Sequence, residues 1–207
     1  MFEIFEFKFA RDSAFPEAIG SQIPVTSENF GLQRFFERYV GATFNEGVYR
    51  VITTEIGRFA HEFVRIAYPL YSDKVTCFAS DWLGRLFCLD SDRREDGEMA
   101  VLMLEPGTGE ALNIPANLRS FHDSELIQYT DAALALKLYR QWLGQGGKVP
   151  RFDQCIGYKK PLFLGGADVF ENMELSDLDV YWNISAQLIH KVRGLPVGTK
   201  IGKISLS

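Results

Sequence analysis

The residues of this chain with chemistry to offer are three histidines (His61, His122, His190), three cysteines (Cys77, Cys88, Cys155) and two groups of acids. The histidines are far apart in sequence, and neither His-Glu-x-x-His nor a Cys/His cluster is present. A zinc site would therefore have to be assembled entirely by the fold, and no metal or cofactor is expected. His61 stands beside Glu62 in a helical pattern, and His190 comes late in another, where a cation suits the helix dipole; both read as structural. The cysteines are odd in number, form no Cys-x-x-Cys and sit among apolar residues, which is the pattern of buried thiols in a reducing compartment. No Gly-x-Ser-x-Gly elbow offers a nucleophile. Gly144-Gln-Gly-Gly147-Lys148 lacks both the earlier glycine and the following hydroxyl of a phosphate-binding loop, since Trp142 and Val149 stand there. No catalytic residue is expected. An enzyme would need a site collected from scattered residues such as Glu55, His61, Asp81 and Cys155, and no spacing links these.

The acids divide into two groups. Asp90, Asp92, Glu95, Asp96 and Glu98 surround Arg93-Arg94, which reads as a solvated turn with local ion pairs and no calcium-loop spacing. From Asp168 to Asp179 there are five acids and no base. One reading is a solvated loop before a capped helix; the other is an electronegative patch that steers a basic partner. Asp177 and Asp179 suit the positive start of the following helix. That leaves Asp168, Glu171 and Glu174 as the candidate partner-binding residues.

The elements that must position these groups follow from periodicity. Phe5-Glu-Phe-Lys-Phe9 alternates like a half-buried strand. A loop over 11–25 leads to a helix from Thr26-Ser27-Glu28 to Gly41, a short strand at 48–54 and a second helix through Phe59, Phe63 and Ala67. Four short runs, Lys74–Ala79, Arg85–Asp90, Met99–Glu105 and Glu110–Ile114, lie too close together for parallel crossovers and so predict an antiparallel meander. Glu105-Pro-Gly-Thr-Gly-Glu110 is one of its turns. His122–Leu143 reads as helical, with Thr130-Asp131 as a candidate break. Its apolar Ala132–Leu136 stretch predicts a helix around Leu134–Trp142 covered by the meander. After a linker-like 144–150, an extended 158–164 meets Gly165-Gly166, where at least one positive φ is expected. A helix over 178–192, capped by Ser176 or Asp177, precedes an edge strand at 200–206. The fold class is α+β, a mostly antiparallel sheet around residues 74–114 packed by helices, and one domain is expected over 1–207.

The 207 residues carry 22 Lys and Arg against 27 Asp and Glu, a net charge of −5, so direct nucleic-acid binding is not expected. No apolar run approaches the ~20 residues of a membrane span, and the acidic N-terminus is unlike a signal peptide. A soluble cytoplasmic protein is expected. Seventeen phenylalanines point to an aromatic core.

Two segments carry a resemblance. Pro161-Leu-Phe-Leu-Gly165-Gly166, Glu171-Asn172-Met173, Asp177, Val180 and Ala186-Gln187-Leu188 are similar to the C-terminal domain of type VI secretion immunity proteins, a block placed at about 150–206. Asp81-Trp82-Leu-Gly84-Arg85-Leu-Phe-Cys-Leu-Asp90 resembles the hairpin of that family. More distantly it resembles the wider superfamily of yeast cell-wall regulators and bacterial immunity proteins. Asn45-Glu-Gly-Val-Tyr-Arg50 fits bacterial relatives that carry these blocks. The resemblance implies a non-catalytic bacterial protein that binds and neutralises a cognate secreted toxin, often a nuclease and hence basic where it holds phosphate. Asp81, Trp82, Gly84, Gly165, Gly166 and Asn172 are its motif residues, and their types point to turns and loop hydrogen bonds. A regulatory or scaffold protein is the alternative that the wider superfamily implies. The sequence leaves the oligomeric state open.

Overall fold

Short β-rich runs separated by tight turns can pair only with their neighbours in sequence, and they do. The computed structural model describes residues 2–12, 30–196 and 199. Strands β1 (Thr43–Phe44), β2 (Tyr49–Val51), β3 (Val75–Asp81), β4 (Leu86–Glu95), β5 (Glu98–Glu105) and β6 (Glu110–Asn117) form one antiparallel sheet in chain order. The meander therefore stands as expected, extended at its head by β1 and β2.

Alternation along the central strands divides their side chains between two cores. Leu86, Cys88, Leu102 and Leu104 face α3 (Thr54–Ala67) and α8 (Leu178–Val192), packing with Ala60, Phe63, Trp182 and Ile189. Phe87, Leu89, Val101 and Met103 face the opposite way, into a core with Phe5 of α1 (Glu3–Lys8), Phe35 of α2 (Phe30–Tyr39) and Phe121. The sheet thus lies between two helical layers. Residues 81–90 are buried without interruption, as strands covered on both faces must be. The class is α+β.

Thr53 caps α3, its hydroxyl accepting from the Ile56 N–H at 3.3 Å, and the helix ends before Pro69. The stretch after β6 is broken more often than its pattern predicts. It comprises α4 (Leu118–Ser120), a π-helical turn (Phe121–Glu125), α5 (Leu126–Gln128), α6 (Thr130–Leu134) and α7 (Leu136–Gly144). The sharpest break falls at Ala135, in the left-handed region at φ 49°. Leu134 is fully buried and Leu138 half-buried against the first core, but Ala132 is exposed, so the apolar run has one covered side rather than all of them.

Residues 5–9 do not form a strand; Phe5 to Lys8 belong to helix α1. Phe2, Phe5 and Phe9, spaced three and four apart, are buried, while Phe7 is 83% exposed. Asp123 fixes this helix from a distant element, accepting the Phe2 and Phe5 N–H groups at 3.3 Å. Of the loop expected over 11–25, residues 13–25 lie outside the described residues, as do the helix start at 26–28 and the strand at 200–206.

Candidate functional site

The motif residues Asp81, Trp82, Gly84, Gly165, Gly166 and Asn172 fall into two places. The first is the β3–β4 turn. Unpaired polar groups are costly in a buried hairpin, and those of this turn find partners. The Asp81 carboxylate accepts from the Leu83 and Arg85 N–H groups, both at 3.0 Å, and from Arg85 Nε at 2.6 Å. Arg85 also donates to the Ala133 carbonyl at 3.0 Å and stands 3.6 Å from Glu105. Trp82 Nε1 donates to the Leu134 carbonyl, and Trp182 Nε1 to that of Gly84, at 2.8 and 2.7 Å. The Ile156 N–H reaches the Trp82 carbonyl at 2.7 Å. Gly84 has φ 75°, and a Cβ there would sit 3.2 Å from Cys155 Sγ. The turn is thus a joint that ties α6, α8 and the segment around Ile156 to the sheet.

Arg50, in β2, completes this buried polar centre. Its guanidinium donates to the carbonyls of Gly47 (3.0 Å), Arg151 (2.9 Å) and Phe152 (3.3 Å), to that of Gln154, and to that of Asp81 at 3.4 Å. Burial lowers its pKa, and nearby Cys155 and Asp81 oppose that shift. Of the four residues from which an enzyme site would have to be gathered, Asp81 and Cys155 are buried around this centre. Glu55 and His61 are exposed on α3. His122 is enclosed by Phe2, Phe5, Phe35, Tyr49, Phe78 and Phe121, with ring centroids 4.5–5.8 Å away. The Leu118 carbonyl can only accept, so His122 Nδ1 carries the proton, and Nε2 accepts from the Tyr49 hydroxyl at 2.8 Å. His190 is exposed near the end of α8. Among the described residues, no three His, Cys, Asp or Glu side chains are placed to hold a metal ion.

The second place is the loop between β7 (Gln154–Tyr158) and β8 (Met173–Asp177), which form a separate antiparallel pair. The strand lies earlier than the expected 158–164, and residues Leu162–Leu164 make a 3-10 turn instead. Gly165 has φ 77°, as two adjacent glycines predict. Gly166 is required for a different reason: a Cβ there would lie 1.9 Å from the Lys160 carbonyl oxygen and 2.8 Å from Asn172 Nδ2. Asn172 closes the loop, its Oδ1 accepting from the Lys160 N–H at 3.0 Å. Its Nδ2 donates to the carbonyls of Lys160 and Ala167 at 2.8 and 2.9 Å. Gly166→Ala should therefore destabilise the protein by about 1–3 kcal/mol, read by urea unfolding. An unchanged midpoint would show that the loop yields at no cost.

The acids lie on this loop (Asp168, Glu171), on β8 (Glu174, Asp177) and in the first turn of α8 (Asp179). Asp168, Glu171, Glu174, Asp177 and Asp179 are all exposed. Asp168 Oδ1 accepts from the Tyr158 hydroxyl at 2.7 Å, and burial together with that bond raises the Tyr158 pKa. Glu171 contributes its main-chain carbonyl, which accepts from Lys159 Nζ at 2.8 Å, so Asn172 rather than the Glu171 side chain holds the loop. Asp177 occupies the cap position of α8 but accepts no backbone N–H there; its Oδ1 stands 3.5 Å from Gln154 Nε2. The fold also brings Lys159 and Lys160 beside the segment, two bases absent from its sequence window.

Sequence reasoning misses Arg50 and Glu105 as parts of the buried centre. Arg50 lies among apolar and β-branched strand residues, a position where a cation must find partners, but three of those partners are carbonyls about a hundred residues away. Glu105 reads in sequence as one end of a turn.

In overall fold the chain is similar to the crystal structure of Atu4351 from Agrobacterium tumefaciens, with a TM-score of 0.61 and 17% sequence identity over 90% of this chain and 89% of that one. No curated protein matches. Residues 116–189 match the family described as T6SS immunity protein Tdi1, C-terminal. The match runs from the end of β6 into α8 and contains Gly165, Gly166 and Asn172. Over residues 116–189 the chain is thus similar to the C-terminal domain of type VI secretion immunity proteins, the family its motifs resemble.

Proposed function

We propose that this protein is an immunity protein that binds and neutralises a cognate toxin of a type VI secretion system, without catalysis of its own. The match of residues 116–189 to the immunity family carries the reading. The exposed acids on the clamped β7–β8 loop, on β8 and at the start of α8 support a partner with a basic surface, such as a nuclease where it holds phosphate. Glu171 and Glu174 are the carboxylates of choice for that contact, because Asp168 is engaged by Tyr158 and Asp177 by Gln154. No helix among the described residues is long and apolar enough to cross a membrane. A cytoplasmic location fits the neutralisation of a toxin that acts inside the cell.

The test uses the product of the gene adjacent to this one, co-expressed and co-purified with the full chain. Rescue of growth together with a stable complex supports the reading; absence of both sinks it for that pair. Charge reversal of Glu171 and Glu174 together should slow association about tenfold at low salt and flatten its salt dependence, because rim charges act mainly on the encounter rate. Unchanged association by folded variants would move the interface away from Glu171 and Glu174.

A further inference from the structure

Cys77 in β3 and Cys88 in β4 are direct partners in the antiparallel ladder, with Sγ atoms 2.8 Å apart. Opposed antiparallel residues have Cα atoms ~4.5–5.5 Å apart, within the ~4.4–6.8 Å that a disulfide spans. A covalent S–S bond of ~2.05 Å requires the sulfurs to close by less than ~1 Å. The ladder shifts register immediately after this pair, between Cys77 and Ala79, so β3 bends where the closing movement is needed.

The two thiols differ in access. Cys88 is fully buried, whereas Cys77 is half-buried and lines a groove of about 550 Å³ together with Ile52, Arg58, His61, Val75 and Thr76. A small solute in the groove meets Cys77, whereas Cys88 does not line it.

We propose that Cys77 and Cys88 form an oxidation site, a cross-strand pair that a peroxide closes to a disulfide and a thiol reductant reopens. The Cys77 thiolate attacks one oxygen of hydrogen peroxide, the O–O bond breaks, and the departing hydroxide is protonated to water, leaving Cys77 as a sulfenic acid. The Cys88 sulfur then attacks Cys77 Sγ, the S–O bond breaks, and a second water leaves with the Cys88 proton. Two thiols lose two electrons and two protons in all, and one peroxide becomes two waters. Burial pushes the Cys88 thiol pKa up, which disfavours it for the first attack on the peroxide, and its place opposite Cys77 in the ladder makes it the resolving thiol. Cys155, buried beneath Gly84, has its thiol pushed up in the same way and serves as an internal reference.

The experiment treats the reduced full-length protein with hydrogen peroxide, counts free thiols in denaturant and maps peptides by mass without reduction. Three thiols should fall to one, with the peptides of Cys77 and Cys88 linked and two hydrogens lost; dithiothreitol should restore all three. C77S should lose no thiol at the same dose, and C88S should instead gain oxygen at Cys77. Retention of three thiols in the wild type, oxygen gained at Cys77 without a link, or a link through Cys155 would each overturn the proposal. Mapping of the wild type decides the matter even where a variant fails to fold.

Discussion

Arg50→Met should lower the unfolding free energy by about 3–6 kcal/mol, enough to leave much of the protein unfolded under mild denaturant. The guanidinium is 1% exposed and supplies the carbonyls of Gly47, Arg151 and Gln154 at once. Methionine fills most of the volume but takes the guanidinium's donors from the Gly47 and Gln154 carbonyls, at about 1–3 kcal/mol each, whereas the Arg151 carbonyl keeps the Gln154 N–H at 3.0 Å. Release of the charge from its desolvated site offsets part of that loss. Arg50→Lys should fall between the two, because a point ammonium cannot fork between the Gly47 turn and the 151–154 segment. Urea unfolding followed by tryptophan fluorescence provides the measurement. A wild-type midpoint for Arg50→Met would show that water or backbone movement replaces the guanidinium.

Glu105→Gln should stabilise the protein by about 2–3 kcal/mol at pH 8 and expose an acid sensitivity that the wild type masks. Burial raises the Glu105 pKa from 4.5 to about 7 despite the opposing Arg85, so the fold prefers the neutral carboxyl. The stability this contributes is fully present below pH 4.5 and is lost as pH rises through about 7. His122 works in the opposite direction. Burial lowers its pKa from 6.5 to about 3, so its contribution is present above pH 6.5 and is lost as pH falls toward 3. Between pH 4.5 and 6.5 the two slopes offset one another, and the wild type should be nearly flat there. The glutamine variant removes one slope, so its stability should fall steadily with pH below 6.5. Melting temperatures across the acidic and neutral range test both parts, and parallel curves for the two proteins would refute the assignment.

Much of the fold is legible in the sequence because local pattern and tertiary demand agree. The β3–β6 runs are short, rich in apolar residues and separated by Gly, Pro and Asp, and no other pairing is open to them. Gly165 is legible for the same reason: its positive φ is a local property. Phe5-Glu-Phe-Lys-Phe9 misleads because five residues satisfy two periods at once. Only the docking of Phe2, Phe5 and Phe9 against other rings, with Asp123 holding the helix start, selects the helix. The acidic loop is exposed, as its composition suggests, but its lysine neighbours are not legible, since Lys159 and Lys160 meet it across the β7–β8 pair. The Cys77–Cys88 contact depends on strand register, which a one-residue slip would abolish. Arg50 and Glu105 depend on three-dimensional enclosure, and no local pattern announces that.

The joint at the β3–β4 turn bears on how such proteins can be recombined. The family-matched segment 116–189 rests its Ala133 and Leu134 carbonyls, its Trp182 indole and its Ile156 amide on residues 82–85 of the hairpin. Those anchors lie outside the segment. A chimera that exchanges 116–189 between relatives keeps these bonds only when its hairpin carries an indole at 82 and a guanidinium at 85 and the incoming segment an indole at 182.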